Sequence, residues 1–166
     1  IVGSGSAVSR GFFENKIDKI FFTGSVPTGK TLMAEAAKTL TPLSLELGGK
    51  DPMIILEDAD LERAANGAAW AGYQNAGQSC GGIERIYVQE TVYERFLSLL
   101  ADKTKSIRHG ADSDFNVDMG SMTTADQLET VSRQVSAAVK SGAKIVAQSH
   151  AAANQKGYFY PATLMT

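Results

Sequence analysis

Short apolar runs alternate with stretches of helical periodicity along the chain, and this alternation restricts the fold more than any other feature. Lys19–Thr23, Leu43–Leu47, Met53–Leu56, Arg85–Val88, Lys144–Ala147 and Tyr158–Tyr160 read as strands. Between the first two, Leu32, Met33, Ala36, Ala37 and Leu40 recur at helical spacing until Pro42. Asp58 or Asp60 can cap a second helix whose apolar positions are Leu61, Ala64, Ala65, Ala68 and Gly72. Val92, Phe96, Leu99, Leu100 and Ile107 mark a third. Thr124 and Gln127 form a capping box ahead of Leu128, Val131, Val135, Ala138 and Val139, and Gly142 sits where a C-terminal glycine belongs. Strands separated by helices predict an α/β fold with a largely parallel sheet. Gly48-Gly49 offers one boundary, dividing residues 1–47 from 48–166.

The 166 residues suffice for a sizeable core. Sixteen basic against eighteen acidic residues give a net charge of -2, which argues against a partner read through its phosphate backbone. No apolar run approaches the roughly 18 residues of a membrane span. The single cysteine excludes an internal disulfide and a cysteine-based zinc site, and fits a reducing, cytoplasmic setting. Ile1 begins as though within a strand and Thr166 follows an apolar run, so the chain reads as a piece of a longer one.

Three segments carry candidate chemistry. Gly24-Ser25-Val26-Pro27-Thr28-Gly29-Lys30-Thr31 satisfies the Walker A pattern after a strand, and Met53–Asp58 could serve as its acidic partner strand. A glycine-rich turn at a helix start suits any phosphate. The pattern alone therefore leaves open an NTPase, a dinucleotide site and a structural turn, with Pro27 removing one donor from the cradle. Cys80 lies in Asn75-Ala76-Gly77-Gln78-Ser79-Cys80-Gly81-Gly82, where it is either a small core filler or a nucleophile. His109 and His150 read as surface histidines rather than partners of a cysteine hydrolase. Glu46, within Leu45-Glu46-Leu47, either faces solvent by strand alternation or faces a cleft as a general base.

Together these segments resemble the NAD(P)-dependent aldehyde dehydrogenases. The resemblance is carried by Phe22-Thr23-Gly24-Ser25 with Gly29, Leu45-Glu46-Leu47-Gly48-Gly49-Lys50-Asp51-Pro52 and Asp58-Ala59-Asp60-Leu61. It continues through Gly77-Gln78-Ser79-Cys80, Arg85-Ile86-Tyr87-Val88 and Gly157–Thr163. It implies that Cys80 is the nucleophile and that Glu46 activates the water that releases a carboxylic acid. It places Gly24, Ser25 and Gly29 against NAD or NADP, with Ser25 near the pyrophosphate and Leu47 near the nicotinamide. The Walker pattern then becomes a coincidence of the family's T-G-S-x-x-x-G turn. By the same resemblance, residues 1–47 are the last part of a cofactor domain and 48–166 the first part of a catalytic domain.

The family's oxyanion asparagine and further cofactor contacts have no counterpart in these residues. Losing one oxyanion donor costs about 10²–10³ in rate, so the chain alone is expected to be a poor enzyme. The expected partner is a small aldehyde, with no metal, nucleic acid or membrane, and self-association is left open. Two rival readings stand beside this one: a catalytically silent folded module and a P-loop NTPase.

Overall fold

The computed structural model describes residues 3–111, 116–150 and 156–166. The strand start expected at Ile1 lies outside them. The chain divides into two compact units, Ile1–Gly49 and Lys50–Thr166.

In the first unit, helix α1 (Gly5–Glu14) is capped by Ser4, whose Oγ accepts from the Ala7 N–H at 3.3 Å. Gly3-Ser4-Gly5 is therefore a helix start. Strand β1 (Ile20–Gly24) leads through helix α2 (Val26–Ala37) to strand β2 (Leu43–Leu47). The strands pair in parallel, from Ile20 opposite Leu43 to Gly24 opposite Leu47. Ile20, Leu32 and Ala36 are buried between sheet and helix.

In the second unit, β3 (Asp51–Ile55) and β4 (Ile83–Val88) also pair in parallel, joined through helix α3 (Leu61–Tyr73). Of the two candidate caps, Asp60 is the one used: its Oδ1 accepts from the Arg63 N–H at 3.1 Å. Helix α4 (Tyr93–Ser106) follows β4. Ile55, Leu61, Ala65, Ala68, Phe96 and Leu100 form the core. The alanines of α3 keep that face flat, so α3 and α4 approach closely. Phe96 is 2% exposed and contributes about 1.5–3 kcal/mol by burial.

Thr124 caps helix α5 (Ala125–Lys140), accepting from the Gln127 N–H at 3.2 Å, and Gly142 follows its end at φ +107°. Strands β5 (Ile145–Gln148) and β6 (Thr163–Met165) pair antiparallel. Among the described residues the strands thus form two parallel pairs and one antiparallel pair. Tyr158–Tyr160 is not the last strand; Tyr158 makes only an isolated bridge to Met122. Pro161 has no N–H to donate to a ladder, and the strand begins two residues beyond it. Among the described residues no helix is long and apolar enough to cross a membrane.

Candidate active site

Cys80 lies in a turn that leaves α3 through unusual backbone. Asn75 (φ 52°), Ala76 (φ 57°) and Gly77 (φ 74°) occupy the left-handed region in succession. Gly77 is free of the Cβ penalty there and Ala76 bears roughly 1–2 kcal/mol of it, whereas Asn75 is a residue type that tolerates this region through a local side-chain hydrogen bond. The turn closes on itself through paired amides. Asn75 Nδ2 donates to the Gln78 carbonyl at 2.9 Å, and Gln78 Nε2 donates to the Asn75 carbonyl at 2.9 Å. The Gln78 N–H donates to the same Asn75 carbonyl at 3.1 Å. Gln78 Oε1 reaches away from the turn to accept from the Thr123 N–H at 3.0 Å. The chain then folds back once more, with the Gly82 N–H donating to the Ser79 carbonyl at 3.3 Å. Cys80 and Gly81 form the outer corner of that second turn, and the thiol is exposed. A buried filler is therefore the wrong reading for Cys80.

Upstream, the turn is pinned at Tyr73, the last residue of α3. The Thr104 hydroxyl gives its proton to the Leu100 carbonyl at 2.8 Å, so the Tyr73 hydroxyl donates to Thr104 Oγ1 at 3.0 Å. Thr104 is fully buried, and burial raises the Tyr73 pKa, with the hydrogen bond offsetting part of that rise.

In the first unit, the Gly24–Thr31 segment does not wrap a phosphate as a Walker A loop would. Helix α2 begins at Val26, so Gly29, Lys30 and Thr31 are already helical. The Gly29 N–H donates to the Ser25 carbonyl at 2.9 Å, and a Cβ on Gly29 would sit 3.1 Å from Leu47 Cδ2. Gly29 therefore brings α2 close to β2. Ser25 is the cap, its Oγ accepting from the Thr28 N–H and lying 2.9 Å from Thr28 Oγ1. With Pro27 lacking a donor, Val26 is the first-turn residue whose N–H is not tied to Ser25 or lost. Glu46 lies opposite Thr23 in the β1–β2 ladder and is exposed, while Leu45 and Leu47 are half-buried.

The histidines divide. His150 is exposed, but His109 is buried, its Nε2 hydrogen-bonded to the Ser149 hydroxyl, which also accepts from the Ala162 N–H at 2.8 Å. Among the described residues His109 Nδ1 is buried without a partner, and burial lowers the His109 pKa, opposed by the Asp118 carboxylate. Asp118 is held by Arg108: the guanidinium donates at 2.7 and 2.9 Å and the backbone N–H at 2.9 Å. These donors lower the Asp118 pKa to about 2. Sequence spacing gave no sign of His109 burial, because Ser149 lies 40 residues away. Asn75 and Gln78, three apart around a glycine, carry a turn signal in the sequence.

The Aldehyde dehydrogenase family profile matches residues 1–166. The chain is 40% identical over its full length to a Mycolicibacterium smegmatis protein provisionally named succinate-semialdehyde dehydrogenase (NADP(+)), covering 32% of that protein. It is 39% identical to lactaldehyde dehydrogenase of Escherichia coli, over 99% of this chain and 35% of that one. An NAD+ complex of a Bacillus cereus aldehyde dehydrogenase superposes with a TM-score of 0.88 at 37% identity, over 98% of this chain and 32% of that one. The chain thus spans about a third of the length of the curated relatives it matches.

Proposed function

The chain belongs to the aldehyde dehydrogenase family, and from that premise we propose that it supplies the nucleophile and the water-activating base for oxidation of an aldehyde to a carboxylic acid. The observation that carries the reading is Cys80: the chain's one thiol stands exposed at the corner of a strained, hydrogen-bonded turn. Strain of this kind persists only where surrounding bonds over-determine it, and it concentrates at functional sites.

Cys80 as thiolate adds to the aldehyde carbonyl carbon, forming a C–S bond and a thiohemiacetal. Once that carbon has lost a hydride, Cys80 holds a thioester. Glu46 takes a proton from water as the water oxygen attacks the thioester carbon. The C–S bond then breaks, releasing the acid and returning the Cys80 thiolate. Covalent capture divides one difficult step into two easier ones. Glu46 favours hydrolysis over transfer of the acyl group to another thiol.

When bound, a nicotinamide dinucleotide supplies the hydride acceptor. The start of α2 fits its pyrophosphate: Ser25 Oγ, the Val26 N–H and the positive end of the helix dipole are available to an anion. By the same proposal Gly24 and Gly29 lie against the cofactor, Ser25 is near its pyrophosphate and Leu47 near its nicotinamide, with Gly29 also seating α2 on the strand that ends in Leu47. On this reading residues 1–47 serve the cofactor and 48–166 the chemistry, in a cytoplasmic enzyme that takes NAD or NADP.

The test is turnover of an aldehyde panel with NAD+ and NADP+ by the polypeptide carrying these residues. Cys80→Ala is expected to abolish turnover and thioester formation together, and intact turnover in that variant overturns the assignment. Glu46→Gln is expected to release about one equivalent of reduced cofactor and then stall. Loss of a general base slows the hydrolytic step by roughly 10²–10⁴.

A further inference from the structure

Behind the Cys80 turn lies a cavity of about 190 Å³ whose lining includes Ala76, Gly77, Gln78, Met122 and Tyr160. The turn therefore borders a cavity on that side, and its hydrogen bonds tie the left-handed backbone together. Nearly all of them converge on Gln78, which donates through its backbone N–H and Nε2 and accepts through its carbonyl and Oε1. Only one orientation of the side-chain amide satisfies both long bonds, since a flip would face Nε2–H with the Thr123 N–H and Oε1 with the Asn75 carbonyl. The Thr123 bond is the one that leaves the turn. It ends one residue before Thr124, the cap of α5.

We propose that Gln78 is the positioning residue of the Cys80 turn: it locks the left-handed segment Asn75–Gly77 and fastens it to the backbone entering α5. The proposal rests on the reading of Cys80 as nucleophile for its catalytic consequence, though not for its structural one. Two substitutions separate the two halves of the bracket. Gln78→Ala removes both side-chain bonds. Gln78→Glu keeps an acceptor for the Thr123 N–H but turns a carboxylate oxygen toward the Asn75 carbonyl.

Amide hydrogen exchange on the 166-residue chain reads the first consequence. In Gln78→Ala, exchange at Thr123 and Gln78 is expected to quicken about tenfold, with the amides of α3 unchanged. In Gln78→Glu, Thr123 is expected to stay protected while Gln78 quickens. Unchanged Thr123 exchange in Gln78→Ala overturns the bracket, and so does equal quickening at Thr123 in both variants. Should Gln78→Ala not fold, the opposite responses of Gln78 and Thr123 in Gln78→Glu decide alone.

Kinetics in the polypeptide that carries the oxidation read the second consequence. There kcat is expected to fall about tenfold in Gln78→Ala and less in Gln78→Glu, with the KM for the dinucleotide unmoved in both. Intact kcat in Gln78→Ala, with Cys80→Ser inactive, overturns the positioning role. If instead Cys80→Ser retains turnover, the nucleophile reading falls, and the exchange data still judge the bracket.

Discussion

The segment from Gly24 to Gly29 and the segment from Asn75 to Gly82 both set glycines beside a polar or nucleophilic side chain at a junction of secondary structure. In the first, the backbone is ordinary: Ser25 caps a right-handed helix, and Gly29 is small because Leu47 needs the room. In the second, the backbone is itself the unusual feature, with three left-handed residues held by amide hydrogen bonds and Gly77 needed for its positive φ. A glycine in sequence signals a backbone or packing demand without saying which. The first demand is met by close contact between elements and the second by conformation, so the two turns should respond to the same substitution in different ways.

Adding one methyl group to each is the sharpest way to break this contrast. Gly77→Ala is expected to destabilise the second unit by about 1–2 kcal/mol, because φ +74° then carries the Cβ penalty. Gly29→Ala is expected to leave stability within about 0.5 kcal/mol of the parent. There the helix-propensity gain of roughly 1 kcal/mol is offset by the 3.1 Å approach to a Leu47 methyl, which must shift slightly. Equal losses in urea unfolding would show that both glycines answer the same demand.

Next in size is Ser25→Ala. Losing the cap is expected to cost about 1 kcal/mol, seen as an earlier unfolding midpoint and, on the proposed function, as weaker dinucleotide binding.

The smallest effect concerns the segment that leads to Thr123. The unfolded Asp118 carboxyl titrates near its ordinary 3.8, whereas Arg108 holds the folded one at about 2. The stability this pair contributes is therefore complete above pH 3.8 and is lost as pH falls through about 2. Both side chains are near half exposed, 57% for Arg108 and 43% for Asp118, so screening by solvent limits the contribution to about 1 kcal/mol or less. His109 pulls in the same direction from higher pH. Its folded pKa lies below 6.5, so the unfolded state takes up protons first and stability begins to fall as pH drops through 6.5. Urea midpoints from pH 7 to 2 should decline in two stages, and Asp118→Asn should flatten the acid one while deepening the upper one, because the carboxylate that opposes the lowering of the His109 pKa is gone.

Much of the architecture was legible where a local chemical device repeats along the chain. Asp60, Thr124 and Gly142 end or begin helices because their side chains or backbones satisfy groups that a helix leaves unpaired. The Leu43–Leu47 strand was readable from its apolar alternation and its closing glycines. Helix α2 was readable only in its second half, because Val26–Thr31 holds proline, glycine and threonines and so lacks an apolar stripe. Its true start depends on Ser25, a single side chain. Helix α1 carried the same kind of signal at Ser4, but two glycines among its residues lowered its apparent helicity. Burial of His109 could not be read locally at all, since the Ser149 hydroxyl that receives it comes from the far end of β5. Among the candidate site residues, Cys80 and Glu46 were legible as residue types out of place. The bracket at Gln78 was not, because its longest bond spans 45 positions.

The bond from Tyr73 to Thr104 has a consequence for timing. It stands between α3 and the strained turn, with a fully buried acceptor. Excursions of residues 74–82 that leave it intact belong to the nanosecond-to-microsecond motions of loops, whereas any that unwind the end of α3 must break it and fall among the microsecond-to-second openings of local unfolding. The thiol can thus adjust quickly above a floor that moves slowly, and the two clocks meet at one hydroxyl.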